Sequence, residues 1–492
     1  MSLRFLSIFA ALALVGAARS DFVMFMIGES ARSAVFFEGE VDTRNNAQLL
    51  TLRHKKYGEV ILPRDRCLWY KAEDPRKKQQ NALRAASKAK DVDELWRLAK
   101  DSIRHGSSGN YFKAAEIIGE IDPSHKEAAR ARHLATLIDA EIPESSDEIR
   151  KMKADAKIDK KLEAVRSEHF LLMHNLQAPS KKAGPKKASR TQERLEIMER
   201  VYKAYLAFFW SRGFELEPPK ERLRVVLLEK EQEFKEYAAA MDPAAVSSSG
   251  FFKLLDNVSY FYEHRGTPDH REMKSVVKSL KDVGKERNVI NRGEFVRLGN
   301  ALDMALELDC EQADILVCSH EMTHQLAGNT KLMPTNRAQP LWVAEGFACY
   351  FESPRDAQWS GIGAVNDQRL SFYRRAKRQN NQYCNIEAVV SDRIFDEAKT
   401  FEEKLNAYSI SWALTHFLME KHFDKLMDFY QTLAKMPPSD HRLSEKECSA
   451  IFWKCFSGEQ KAKLDAQWHV YMRGLKTDME VFVDKTILKD DD

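Results

Sequence analysis

The chain has 492 residues, of which 43% are hydrophobic and 10% aromatic, so it can bury a substantial core and is not a disordered protein. Its formal charge is only +3, which gives no general attraction to nucleic acid or to an acidic membrane surface. Seven cysteines are too few and too scattered for a disulfide scaffold, and without a CxxC pair they give no support for a thiolate zinc site.

Residues 1–20, MSLRFLSIFAALALVGAARS, have the pattern of a secretory signal peptide. A basic residue precedes an apolar run, and Ala18 and Ser20 stand at the −3 and −1 positions of a cleavage site. Arg19 and Asp21 interrupt the apolar run, and a membrane span needs about 20 uninterrupted apolar residues. We expect export to the periplasm, the cell envelope or the medium, with no integral membrane span after cleavage. An uncleaved anchor is the alternative.

Residues 21–72 predict a small β-rich domain, because short β-prone runs alternate with turn residues. Residues 73–142 change to a helical period, as in DVDELWRLAKDSIR. The run IDPSHKEAARA is similar to the junction between tetratricopeptide helices, but an array needs several repeats. The helical segment is therefore either a packing spacer or a surface for a protein partner.

Residues 143–166 predict a charged connector, residues 167–480 the main domain, and residues 481–492 an acidic tail. The main domain begins with a strand in SEHFLLMHN and an exposed basic loop, QAPSKKAGPKKASR. Because that loop has no interleaved aromatic residues, we expect no nucleic-acid site. A helix, the strand RLRVVLLE and a hairpin that turns at Asp256 and Asn257 follow, and helices dominate afterwards. The predicted fold class is α+β and multidomain.

The motif with the clearest chemistry is SHEMTH, which places His320 and His324 four residues apart. On a helix this spacing puts both imidazoles on one face, about 6 Å apart, where they can bind one metal ion. Glu321 then lies beside the metal and can take a proton from a metal-activated water. Asp309 and Gln312 predict the start of this helix as a capping box, and Gly328 its end.

A catalytic zinc site needs a third protein ligand, and the segment QPLWVAEGFACYFES offers one. Pro340 suits the first turn of a helix, and Glu345 lies among apolar neighbours, where a carboxylate needs a cation or a hydrogen-bond partner. Glu352 is a rival ligand on the same helix.

The pair SHEMTHQL and PLWVAEGFACYFE resembles the gluzincin clan of zinc metallopeptidases, the thermolysin-like group with an HExxH helix and a glutamate helix. The chain is most similar to a family of uncharacterised, exported bacterial peptidase-like domains. The resemblance covers about residues 167–477 and implies a mainly α peptidase domain with a small N-terminal sheet.

The resemblance also implies roles for single residues. Zn²⁺ would be bound by His320, His324 and Glu345, with Glu321 as general base. A tyrosine or histidine would stabilise the oxyanion, and the segment NAYSISWALTHFL offers Tyr408 and His416.

The hairpin over residues 250–262 would offer an edge strand to an extended peptide, or would be a buried structural element.

One position departs from the clan. Many gluzincins carry an acidic residue four positions after the ligand glutamate, where it orients a ligand histidine, and here that position is Cys349. Another group must then orient the histidines, or the metal binds more weakly. Cys349 itself is either a buried structural thiol or an extra ligand.

The sequence thus predicts an exported zinc metallopeptidase that acts on a peptide or protein substrate. A hydrolase of another amide or of an ester could use the same ligands. The third alternative is a binding or scaffold protein of the cell envelope with a vestigial metal site, although a site without catalysis has no need of Glu321.

Overall fold

The computed structural model describes residues 21–26, 34–44, 47–70, 75–145, 147–155, 162–177, 189–241, 243–352, 354–355, 358–359, 361–439 and 441–486. The predicted signal peptide, most of the basic loop and the last residues of the acidic tail lie outside these ranges. The described chain is mixed α and β and mainly helical. It forms two compact units, one of Met1–Asn81, Glu272–Glu307 and Phe482–Asp492, the other of Ala82–Arg271 and Leu308–Val481.

The first unit contains a five-stranded antiparallel sheet in the segment predicted as β-rich. Alternate residues of its strands are buried, for example Leu50 and Leu52, as expected for a sheet with one face on a core. The strand order is β4-β3-β2-β1-β5, and the strands are β1 Asp21–Met26, β2 Ala34–Asp42, β3 Leu49–His54, β4 Gly58–Pro63 and β5 Cys67–Tyr70.

The segment predicted as helical forms four helices, of which the last three lie wholly in the second unit. They are α1 Pro75–Ala89, α2 Val92–Arg104, α3 Ser108–Ile121 and α4 Lys126–Ile138. Apolar side chains of α2, α3 and α4, such as Leu95, Ile118 and Leu134, belong to the large core of the second unit. Helices α2, α3 and α4 are therefore part of the unit that carries the HExxH motif.

The second unit also contains a five-stranded mixed sheet with the order β6-β7-β8-β10-β9. The predicted strands and hairpin are present, and the predicted connector adds one more strand and a short helix, α5 Glu148–Asp155. β7 and β10 run parallel to β8, while β9 pairs antiparallel with β10 and forms an edge of the sheet. The strands are β6 Glu163–Arg166, β7 Phe170–His174, β8 Leu223–Leu228, β9 Gly250–Lys253 and β10 Val258–Tyr262.

Helices account for most of the remaining chain. They are α6 Arg190–Trp210, α7 Glu231–Met241, α8 Pro268–Val283, α9 Arg292–Asn329, α10 Leu341–Phe351, α11 Asp367–Arg378, α12 Ile386–Val390, α13 Arg393–Asp396, α14 Phe401–Lys421, α15 Phe423–Ala434, α16 Glu445–Cys455, α17 Lys461–Gly474 and α18 Asp478–Thr486. Two-residue strands, β11 Pro354–Arg355 and β12 Gln358–Trp359, pair with each other. None of the described helices combines the length and the apolar character that a membrane crossing requires.

The helix that carries HExxH is longer than predicted. It begins at Arg292, so Asp309 and Gln312 lie inside it, and the predicted capping box is wrong. The preceding residues, rich in Leu, Ala and Met, are themselves good helix formers and extend the helix backwards. At its other end Gly328 is still helical, and the left-handed residue is Lys331, with φ 59°.

A buried ion network fixes this helix against its neighbours. The Arg194 guanidinium on α6 donates to Glu263 Oε1 at 3.1 Å, to Glu311 Oε1 at 2.8 Å and to Asp314 Oδ2 at 2.6 Å. The two α9 residues of this network, Glu311 and Asp314, are buried and lie one to three turns before the HExxH motif. Since a buried charge without its partner is strongly unfavourable, the network holds α9 in one position.

Candidate metal site

Helix α9 presents the two motif histidines on one face, and their ring nitrogens converge. His324 Nε2 lies 3.2 Å from His320 Nε2, because residues four apart on a helix lie on the same face. Both side chains are largely buried, with exposed fractions of 11% and 15%. The two nitrogens therefore face a common point at the edge of the core.

Helix α10 brings Glu345 to the same point. Glu345 Oε2 lies 3.1 Å from His320 Nε2 and 3.6 Å from His324 Nε2. Burial alone would raise the pKa of the Glu345 carboxyl, but the neighbouring His324 and His320 hold it far below its usual value. The three residues predicted as ligands are thus brought together, with one donor atom from each.

Two features fix the position of α10. Its first backbone N–H groups, those of Leu341 and Trp342, donate to the Asp392 carboxylate at 2.6 and 2.8 Å. Asp392 lies in the left-handed region with φ 66° and belongs to a later part of the chain. The residue after Glu345 is Gly346, where an added Cβ would lie 2.8 Å from the Ser411 carbonyl oxygen of α14. The absence of a side chain at Gly346 therefore lets the two helices approach closely.

The donor set fits a divalent metal ion such as zinc. Ligand atoms about 2.0–2.1 Å from a tetrahedral zinc ion stand about 3.3–3.4 Å from one another, close to the separations of 3.1, 3.2 and 3.6 Å seen here. The surroundings also favour positive charge. Burial would lower the pKa of His320, but contacts with Cys349, Glu345 and Glu352 raise it well above its usual value.

Two other groups of potential ligands fit a metal less well. The group of His320, Cys349 and Glu352 lies on the Nδ1 side of the imidazole, where the Arg369 guanidinium already neutralises Glu352. The group of Glu168, His169 and Glu199 has no free imidazole nitrogen, because His169 Nε2 bonds to the Ile138 carbonyl oxygen and Nδ1 to Glu199.

Glu352, predicted as a rival ligand, occupies a different place. Its Oε2 lies 2.7 Å from His320 Nδ1, on the opposite side of the ring from Glu345. Its Oε1 accepts hydrogen bonds from Asn366 Nδ2 at 3.0 Å and from Arg369 Nε at 2.8 Å. Burial would raise the pKa of Glu352, but Arg369 and His320 lower it to about 2, so the group stays ionised. Through this contact Glu352 fixes the orientation of the His320 ring, the task for which the sequence offered no acidic residue at Cys349.

Glu321, the predicted general base, is only 6% exposed and directly follows His320 on α9. Burial raises the pKa of its carboxyl, while His320 and His324 act in the opposite direction. Edge strand β9 passes directly over it, because a Cβ added at Gly250 would lie 3.1 Å from Glu321 Cγ. The hairpin is held there by Gln325, whose Nε2 donates to the Asn257 carbonyl oxygen at 2.9 Å.

The two candidates for the oxyanion role lie in different surroundings. The ring centroid of Tyr408 lies 6.4 Å from that of His320, and the charge of Glu345 together with burial raises the pKa of the phenol far above its usual value. Tyr408 therefore stays protonated and remains a hydrogen-bond donor beside the site. His416 is buried elsewhere, with Nε2 bonded to the Gly363 carbonyl oxygen and Nδ1 bonded to the Tyr471 hydroxyl.

Comparison with known proteins gives one match. A family model described as a protein of unknown function (DUF1570) matches residues 314–440. The matched span contains His320, Glu321, His324, Glu345, Glu352 and Tyr408. Neither the curated proteins nor the solved structures gave a match to the chain. The chain is therefore similar to an uncharacterised domain, and the match names no activity.

Sequence reasoning did not predict Asn366 and Arg369. Arg369 lies on α11 after the motif segment, and Asn366 caps the start of that helix. The only available signal was that Cys349 stands where an acidic residue was expected. This meant that another group must orient the histidine, but the sequence did not show which one.

Proposed function

We propose that the protein is a zinc-dependent metallopeptidase. The observation that carries the proposal is the convergence of His320 Nε2, His324 Nε2 and Glu345 Oε2 beside the buried carboxylate of Glu321. Two imidazoles and one carboxylate are a ligand set of hydrolytic zinc sites, which leave one coordination position open. When bound, zinc would supply Lewis acidity for a carbonyl group and for water.

The residues of the chain would divide the remaining work. Glu321 accepts the proton of the attacking water and returns it to the leaving amine, as a buried base at this position can. Tyr408 donates a hydrogen bond to the oxyanion that forms at the attacked carbonyl. Glu352 fixes the ring of His320 so that Nε2 points to the metal. The edge strand β9 offers backbone groups to an extended substrate.

Metal analysis tests the ligand set directly. Purified protein without residues 1–20 should contain about one zinc per chain by mass spectrometry. Glu321→Gln should keep the metal, whereas His324→Ala should lose it. His441→Ala, at an exposed histidine outside the site, is the matched control and should keep it. Equal zinc content in His324→Ala and wild type would contradict the proposed ligands.

Hydrolysis of a peptide library tests the reaction. Wild type should cleave peptides, and Glu321→Gln should reduce the rate by about 10²- to 10⁴-fold because the base is lost. Zinc-loaded wild type that cleaves no peptide but hydrolyses small amides or esters would show the other hydrolase class. Stoichiometric zinc without any hydrolysis would favour a binding or scaffold role.

A further inference from the structure

Arg369 is a buried arginine with unused donors. It is 8% exposed, and its Nε donates to Glu352 Oε1 at 2.8 Å. Within the described parts of the chain, its two terminal Nη groups donate no hydrogen bond to protein. A guanidinium has five N–H donors, and leaving most of them unmet costs free energy. Solvent or a bound molecule must satisfy them.

The guanidinium of Arg369 lies near the candidate metal site, next to the ring of Tyr408. Its Cζ lies 5.3 Å from the ring centroid of Tyr408, and that centroid lies 6.4 Å from the His320 ring. Glu352 also connects the two directly, since one of its oxygens bonds to Arg369 and the other to His320. Because Glu352 and Asn366 hold their positions by several hydrogen bonds, the guanidinium is fixed before any substrate arrives.

The chemistry of the free end favours a carboxylate. Two N–H groups in one plane match the two oxygens of a carboxylate, and such charged pairs are stronger than a bond to one carbonyl oxygen. The distance from Arg369 Cζ to the Tyr408 ring is 5.3 Å, and the distance from that ring to the His320 ring is 6.4 Å. Together they correspond to at most about three residues of extended chain, at about 3.5 Å per residue. Every peptide that ends within this reach presents its C-terminal carboxylate there, whereas an acidic side chain occurs only in some sequences.

We propose that Arg369 binds the C-terminal carboxylate of the peptide substrate, so that hydrolysis releases a short C-terminal fragment. The inference rests on the proposed peptidase function. Water is consumed at the peptide bond, the N-terminal part gains a carboxylate, and the released fragment gains an amine and keeps the carboxylate that Arg369 holds.

Paired peptide libraries test this assignment in the zinc-loaded wild type. One library of octapeptides without Asp or Glu carries a free C-terminal carboxylate, and its partner carries a C-terminal amide. The acids should be cleaved with a kcat/KM about 10- to 100-fold higher, since the amide loses a bidentate charged contact. Mass spectrometry should show release of fragments of one to three residues. Equal cleavage of both libraries, or cuts spread along the peptide, would overturn the assignment.

Variants test whether Arg369 is responsible. Arg369→Lys keeps a positive charge beside Glu352 but loses the planar pair of donors, so the preference for acids should fall to near unity. Arg375→Lys on the same helix is the matched control, because Arg375 is 41% exposed and pairs with Glu402. A preference kept in Arg369→Lys would overturn the assignment. If that variant does not fold, the acid-to-amide ratio of the wild type still decides.

A third library with amidated C-termini and one internal Asp or Glu distinguishes the two sources of a carboxylate. Restored cleavage near the acidic residue would show that Arg369 binds acidic side chains, and would overturn the C-terminal assignment.

A binding measurement separates this inference from the proposed function. The Glu321→Gln variant should bind a fluorescein-labelled peptide acid about 10- to 100-fold more tightly than the same peptide amide, measured by fluorescence anisotropy. If no library is cleaved, the peptidase proposal fails, while equal affinity of the acid and the amide rejects the role of Arg369.

Discussion

The carboxylate of Glu352 bonds to three side chains at once, so substitution of this residue should have a larger effect than substitution of an ordinary buried glutamate. Its two oxygens face His320, Asn366 and Arg369, and two of these partners are cationic or can become so. A neutral amide at this position has one acceptor oxygen and would turn its NH₂ group towards a donor.

We therefore predict that Glu352→Gln weakens zinc binding by about 10- to 100-fold, because the ring of His320 loses its orienting partner. Competition with a chromophoric chelator measures this affinity. Glu397→Gln, at an exposed carboxylate of similar size, should leave the affinity unchanged. An unaltered zinc affinity in Glu352→Gln would show that His320 is held by its packing alone.

At the scale of residues, the sequence predicts the geometry that local spacing determines. His320 and His324 share a helix face wherever their helix lies, and Glu345 stood out as a carboxylate in an apolar helix. The position of Glu352 relative to His320 could not be predicted, because it depends on how α10 packs against α9. The role of Arg369 could not be predicted either, because it depends on the position of Glu352.

At the scale of elements, the packing of α10 against α14 sets the position of Glu345. A Cβ at Gly346 would approach the Ser411 carbonyl oxygen to 2.8 Å and Thr415 Oγ1 to 2.4 Å, so the helices would have to separate. A backbone carbonyl cannot move away as a flexible side chain can, so the strain would reach Glu345, the proposed metal ligand next to Gly346.

We predict that Gly346→Ala lowers the free energy of unfolding by about 1–3 kcal/mol and also weakens zinc binding. Urea denaturation with and without zinc measures both effects. Gly109→Ala in α3 is the matched control, since nothing lies within 4 Å of its added Cβ, and it should stabilise by about 0.5–1 kcal/mol. A Gly346→Ala protein as stable as wild type would mean that α10 can shift without cost.

Elements themselves were predicted unevenly. The strands, the hairpin turn and the helix after Pro340 follow from apolar runs bounded by turn residues. The start of α9 did not, because Asp309 and Gln312 mimic a capping box inside a segment that is helical on both sides. A local signal marks a helix start only where the preceding residues leave the helical conformation.

At the scale of the whole molecule, α2 is joined to α14 by a partly buried ion pair. Arg104 Nη2 donates to Glu420 Oε2 at 2.6 Å, and the Tyr350 hydroxyl donates to Oε1 at 2.6 Å. Burial would raise the pKa of Glu420, but Arg104 and Tyr350 lower it below its usual value. A carboxyl with a lowered pKa in the folded state stabilises the protein above its unfolded pKa of about 4.3. That contribution is lost as the pH falls through the folded pKa.

We predict that Glu420→Gln loses about 1 kcal/mol of stability at pH 7, a modest value because the Arg104 side chain is 37% exposed and solvent screens the pair. The variant should also lose less stability than wild type between pH 5 and pH 3. Urea denaturation at several pH values checks both statements, with Glu402→Gln at an exposed glutamate as control. Identical pH dependence in wild type and Glu420→Gln would reject the contribution of this pair.

The cap that Asp392 places on α10 has a consequence for the synthesis of the protein. The three proposed ligand residues lie between 320 and 345. The carboxylate that fixes the start of α10 and the helix that packs on Gly346 are translated later. A nascent chain in which Glu345 has just emerged from the ribosome therefore contains all three proposed ligands, but it lacks Asp392 and α14, which position the helix of Glu345. Metal capture should then coincide with the emergence of α14, and a chain cut before Asp392 should remain a peptide with zinc-binding side chains but without a site.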